Sequence, residues 1–193
     1  FHDFDDVDRG YGHARHMGNV VAAAVLQVFD KVEYIPVEKL QVLHKTVTVP
    51  ANIPDPKDLP LARKYKALHE AGREDEIPYT AMQLTTVVAE AIRMCELENG
   101  PEDFTVRLTG VKLGPVALVG IPGEPFTGVG RGLKEAEGWD LVLPCCLTNG
   151  NMGYFPMKDA YDEGGYEAKS SPFAAGVAEN LIESARKLLK ELK

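Results

Sequence analysis

Val116-Ala117-Leu118-Val119-Gly120-Ile121-Pro122-Gly123-Glu124-Pro125-Phe126 is the stretch around which the chain is organised. A short apolar run closed by Gly120, Pro122 and Gly123 predicts a buried strand that stops in a sharp turn. Glu124 stands at the exit, and Pro125 opens a predicted helix that reaches about Glu137. A carboxylate at the carboxyl end of a central strand occupies the place where open α/β sheets bind their ligands. The same residue, in a purely structural role, would favour the positive end of the helix dipole. Gly128, Gly130 and Gly132 then interrupt the helix, which implies a short helix or close packing against another backbone, since glycine costs about 1 kcal/mol relative to alanine in a helix interior. Neither a Walker loop nor a dinucleotide fingerprint is present, because the residues that must follow or precede those glycines are missing.

Outward from this stretch, Asp140 to Leu147 reads as another buried strand with a polar exit, Thr148-Asn149-Gly150-Asn151. If the two strands run parallel, with the intervening helix as their crossover, Glu124 and Asn149 share one rim. On the other side, Phe104 to Lys112 alternates as a half-exposed strand. A Gly114-Pro115 turn joins it antiparallel to the central one. Leu40 to Val49 alternates in the same way, with Leu43, Val47 and Val49 on one face. The stretch from about 50 to 79 reads as a peripheral excursion, a proline loop followed by a charged helix from Leu59 to Ala71 with Ala62, Tyr65, Leu68 and Leu61 inward. Thr80 is placed to cap a helix to Glu98 whose stripe of Leu84, Val87, Val88, Ala91, Met94 and Cys95 would lie on the sheet. Ser171-Pro172 suits a helix start, and Val177, Leu181, Ala185, Leu188 and Leu192 mark one stripe of the final helix. Tyr161 to Glu167 is dense in phenols and acids, which suits either a functional loop or a rigid one whose phenols bond backbone.

The first ten residues are acidic but lack the ligand order of a calcium loop. From Tyr11 to about Lys31 apolar residues recur on both sides, so this helix is expected to be largely buried. His13 and His16 lie three apart on it, a weak zinc signal without a further ligand. The 193 residues, 45% hydrophobic and 26% charged, suit a single α/β domain over 1–193, a mixed β-sheet flanked by helices. No apolar run has the length of a transmembrane segment. A formal charge of -8 without a basic face argues against a nucleic-acid partner. The three cysteines form no disulfide or zinc spacing, and Cys145 and Cys146 are expected to be buried thiols. The chain opens on Phe1 rather than methionine, so it is expected to be a piece of something longer.

Gly-Ile-Pro-Gly-Glu-Pro-Phe at 120–126, Asn-Gly-Asn-Met-Gly-Tyr-Phe-Pro at 149–156 and Ala-Tyr-Asp-Glu-Gly-Gly-Tyr-Glu-Ala at 160–168, in this order, resemble the neutral/alkaline ceramidase family. The likeness is clear over 115–180 and loose elsewhere. It implies the second half of a catalytic domain, an incomplete part of a larger α/β unit, that hydrolyses the amide of an N-acylated sphingoid base at one zinc ion. By that resemblance Glu124 and Tyr161 match two zinc ligands, and the other two, histidines, belong to a preceding segment of the same protein. His13, His16, His44 and His69 match none of the family's ligand motifs. Where the family has a second tyrosine, twelve residues after the first, this chain has Phe173, without a hydroxyl to orient water or substrate.

Two readings follow. One is a fragment of a zinc-dependent amidohydrolase acting on an N-acyl amide or other lipid-like small molecule, with zinc bound only when the preceding segment is present. The other is a non-catalytic or differently catalytic α/β binding module that keeps the scaffold. Glu124 together with Tyr161 favours the first, and Phe173 the second.

Overall fold

The computed structural model describes residues 9–193, so the expectation for the acidic start falls largely outside the described residues. Two compact units divide the chain, one ending at Pro36 and one running from Val37 to Lys193. The first holds helix α1 (Gly10–Phe29), which matches the predicted helix in extent but not in burial. Val21 is 65% and Leu26 72% exposed, and no residue of α1 is buried. An apolar pattern on all sides predicts burial only if a partner surface surrounds the helix, and among the described residues of this unit no second element supplies one.

The second unit is built on a four-stranded sheet of order β1-β2-β3-β5, from β1 (Leu40–Pro50), β2 (Asp103–Leu113), β3 (Val116–Gly120) and β5 (Leu141–Cys145). The β1–β2 and β2–β3 pairs are antiparallel, whereas β3 and β5 are parallel, with Val116 opposite Leu141 and Gly120 opposite Cys145. The mixed sheet flanked by helices is therefore the observed class. Helix α4 (Thr127–Lys134) makes the crossover between the parallel strands. It is eight residues long and closely packed: a Cβ on Gly128 would stand 2.7 Å from the Met157 sulfur, and one on Gly132 3.0 Å from Ile182. Both implications of the glycine run hold.

Period-2 alternation sends Val47, Val49, Val106, Leu108, Ala117, Val119 and Val142 to one face. There they meet α4 and α7 (Val177–Glu191), whose Leu181, Ala185, Leu188 and Leu189 are buried. The opposite face carries two apolar rows across all four strands. Val42, Val111, Leu118 and Leu143 form one row; Leu40, Leu113, Val116 and Leu141 form the next. Their outer members are exposed, Leu40 by 60% and Val42 by 52%.

Helix α2 (Leu59–Glu70) buries Ala62, Tyr65 and Leu68 against α3 (Ala81–Leu97), while Leu61 points outward. This changes the expected role of α3. Its stripe packs chiefly on α2 and on α6 (Tyr166–Ser170), not on the sheet, because the apolar face of α2 needs a partner and α3 supplies it. Cys146 is exposed and Cys145 only partly buried, against the expectation of two buried thiols, because the strand ends at Cys145 and the chain turns outward.

Gly123 is the tightest backbone approach near the central strand: a Cβ there would lie 2.5 Å from the Gly153 carbonyl oxygen. Gly123→Ala is expected to destabilise the fold by about 1–3 kcal/mol through overpacking. Urea denaturation of the two proteins checks this, and an unchanged midpoint would count against the packing described.

Candidate functional site

The parallel pairing of β3 with β5 brings both strand exits to one rim, as the sequence predicts, and backbone hydrogen bonds then zip the two exits together. The Ile121 amide donates to Cys145 O, Thr148 N to Ile121 O, Leu147 N to Gly123 O and Met152 N to Pro122 O. The zipper continues as a short parallel pair, β4 (Glu124–Pro125) with β6 (Tyr154–Phe155), in which Glu124 stands opposite Tyr154. Glu124 N donates to Gly153 O at 2.9 Å, so its backbone is fixed. The carboxylate is half-buried and makes no hydrogen bond or ion pair among the described residues. Burial, with the Glu124 charge next in size, pushes the Tyr154 phenol above its ordinary range.

Asn149, at the other exit, adopts φ 64° and donates from Nδ2 to Thr109 Oγ1 at 3.1 Å. His44 Nδ1 lies 3.1 Å from the same oxygen. Thr109 Oγ1 accepts from Asn149, and the imidazole tautomer sets which way its contact with His44 Nδ1 runs. These residues tie the rim to β1 and β2.

Tyr161 lies on α5 (Lys158–Glu163), ended by Gly164 at φ 74°, a short helix where the sequence predicts a loop. Its hydroxyl donates to Phe173 O at 2.7 Å and, with the weaker share of the same proton, to Ser171 Oγ at 3.3 Å. The phenol bonds backbone, as the rigid-loop reading describes, although from a helix. Burial raises its pKa, opposed by the Ser171 hydrogen bond and the Arg93 charge. With its proton committed, the oxygen's lone pairs stay uncommitted. Glu124 and Tyr161 are connected through two groups: Glu124 pairs with Tyr154, and the Tyr154 carbonyl accepts from Ser171 Oγ at 3.0 Å. No hydrogen bond joins the two side chains directly.

Phe173 differs from its expected surroundings. Its ring is fully buried, stacked on Phe155 with centroids 4.7 Å apart and edge-on to Phe104 at 5.3 Å. It is a core residue, because its neighbours at the ring are aromatic. Ser171 does not start the final helix either, but follows the C-terminal end of α6. It is fully buried, and α7 starts only at Val177. Arg93, which interrupts the apolar residues of α3, is buried and donates to Lys169 O at 2.9 Å and Asn52 O at 2.7 Å. Burial lowers its pKa, and the Glu90 charge opposes the shift. A cavity of about 260 Å³ lies here, bordered by Arg93, Glu90, Lys169, Asn52 and Tyr161. The signal that could have flagged Arg93 is the guanidinium itself, set between Ile92 and Met94.

Among the described residues no group of three or more His, Cys, Asp or Glu could hold a metal ion. Glu124 and Tyr161 suit zinc as two oxygen donors, one carboxylate and one phenol, but fall short of the four ligands zinc takes. His13 and His16 stay a pair on α1.

No family model matches the chain, and no curated protein matches it. Among solved structures, a neutral ceramidase from Pseudomonas aeruginosa is similar over 99% of this chain, at 15% identity and a TM-score of 0.55. A ceramidase complexed with C2 is similar over 48% of this chain and 16% of its own, at 21% identity and a TM-score of 0.38. The chain spans 35% of the length of the Pseudomonas aeruginosa chain. At these identities the likeness is one of fold.

Two outcomes follow from this geometry. Phe173→Tyr, which would raise hydrolysis if a missing phenol were limiting, is instead expected to lower stability by about 1–3 kcal/mol by burying a hydroxyl among aromatic rings. Denaturant unfolding, run beside an amide-hydrolysis assay, decides between the two. For Tyr161, the folded state holds the phenol proton to higher pH than the unfolded chain does, so its contribution to stability is complete below the ordinary tyrosine range and is lost as pH rises through the raised folded value. Stability measured across alkaline pH should fall less steeply in Tyr161→Phe than in the wild type.

Proposed function

We propose that this chain supplies Glu124 and Tyr161 to the site of a zinc-dependent amidohydrolase that cleaves an N-acyl amide, ceramide-like or another lipid amide. The other ligands come from a preceding segment of the same protein. The observation that carries this reading is the Glu124 carboxylate, unpaired among the described residues, at the exit of the parallel strand pair, with the Tyr161 phenol tied to the strand opposite it. The fold likeness to a neutral ceramidase supports the reading, as does the second apolar face of the sheet, which a further layer would bury.

Zinc accepts carboxylate and phenol oxygens beside imidazoles and, when bound, polarises an amide carbonyl or lowers the pKa of its water toward about 7. What the chain's own residues contribute is placement. Backbone bonds on both sides of the 121–126 turn fix the Glu124 main chain, and the Phe173 carbonyl holds the Tyr161 proton so that the phenol presents its lone pairs. With no ion-pair partner for Glu124 among the described residues, no competing cation there has to be displaced before the carboxylate takes up a metal.

The second reading, a binding module on the same scaffold, is favoured by Phe173, which occupies the core and offers no group to a substrate. Metal analysis of the full-length protein separates the two. Zinc is expected in the wild type, and Glu124→Gln should weaken its binding by more than the roughly 10–100-fold that loss of an outer-shell partner costs. Absence of zinc, or zinc indifferent to Glu124→Gln, would leave the binding module standing.

A further inference from the structure

Strand β6, helix α5 and the turn at Phe173 meet at the Ser171 hydroxyl, which is fully buried. It donates to Tyr154 O at 3.0 Å, accepts from Phe173 N at 3.3 Å and lies 3.3 Å from the Tyr161 hydroxyl. Its donor is used and one acceptor site is filled by the Phe173 amide, while the other takes the weaker share of the single Tyr161 proton. A buried hydroxyl is tolerated only when so satisfied. The residue's backbone is held as firmly, since Ser171 N donates to Glu167 O at 3.1 Å and Ser171 O accepts from Asn52 Nδ2 at 3.3 Å. Arg93 completes the enclosure by bridging Lys169 O and Asn52 O, so that the end of α6 and the 50–54 loop cannot separate around the serine.

The Tyr161 hydroxyl has one proton, aimed at Phe173 O and shared with Ser171. A single bond to Phe173 O would leave the phenol free to swing about that contact. The second oxygen fixes the direction. We propose that Ser171 is a positioning residue for Tyr161, a buried hydroxyl that ties the α5 phenol to the β6 strand paired with Glu124. The inference deepens the proposed site and rests on that reading for the use made of the phenol. The geometry of the tie itself does not depend on the metal.

The test uses full-length protein carrying tyrosine labelled with carbon-13 at Cζ, in mixed light and heavy water, with Tyr161→Phe to assign the signal. In the wild type the Tyr161 signal should be split, because its hydroxyl proton exchanges slowly. Ser171→Ala should speed that exchange about tenfold, the equivalent of one hydrogen bond, while amide exchange in α7 stays as it was. If Ser171→Ala does not fold, Ser171→Cys takes its place with the same expectation, since sulfur is a weak donor and acceptor. An unsplit wild-type signal overturns the proposal, as does an unchanged rate in the variant or an equal rise at the α7 amides. Zinc that ignores Glu124→Gln overturns the hydrolase reading and leaves the exchange result untouched. Fast exchange in a protein that binds zinc through Glu124 does the reverse.

Discussion

The parallel pairing of β3 with β5 is the constraint on which the candidate site depends. Parallel strands leave in the same direction, so the turn after Gly120 and the turn after Cys145 emerge side by side. Their amides and carbonyls then satisfy one another, from the Ile121–Cys145 bond through Met152–Pro122 to the Glu124–Tyr154 pair. The backbone at Glu124 is thus fixed by hydrogen bonds on both sides of the turn. An antiparallel arrangement would have sent the second exit to the opposite end of the sheet and left Glu124 on an unsupported loop.

Packing turns this local geometry into a rigid platform. Helices α4 and α7 cover one face of the sheet with aliphatic side chains, and the close approach of Gly132 to Ile182 lets the two helices sit near each other. On the far side of the zipper, Phe155 stacks on Phe173, and the Phe173 carbonyl takes the Tyr161 proton. One residue therefore serves the core with its ring and the site with its backbone. This is why a phenylalanine there is compatible with an ordered Tyr161. The order comes from a main-chain oxygen and from Ser171, neither of which depends on a hydroxyl at position 173.

The polar enclosure around Ser171 shows how buried charge is accommodated. Arg93 is taken out of water yet donates to two backbone carbonyls, which compensate for the lost hydration. Those carbonyls belong to α6 and to the loop after β1, so one guanidinium joins segments on opposite sides of the sequence. The same loop is held by the Ala51–Phe173 bridge and by Asn52 N on Pro172 O. The region from 50 to 79 is therefore anchored at its start to the very residues that orient Tyr161.

Local pattern was enough to determine much of this protein. The alternation of β1 and β2, the apolar run at Val116–Gly120, the stripe of α7 and the turn that leads into Glu124 were all legible, because each is a short-range consequence of which residues alternate and where glycine and proline interrupt them. The parallel exits at Glu124 and Asn149 followed from a helix lying between two buried runs. Other features required the tertiary structure. Ser171 has the sequence signature of a cap and becomes a buried hub, because its partners at Tyr154 and Tyr161 are brought in by folding. The helix at Ala81–Leu97 has a stripe that suits a sheet or another helix equally, and only the apolar face of α2 decided between them. Helix α1 has the composition of a buried element and exposed side chains, since burial is a property of what surrounds a residue and periodicity specifies only the face it would offer.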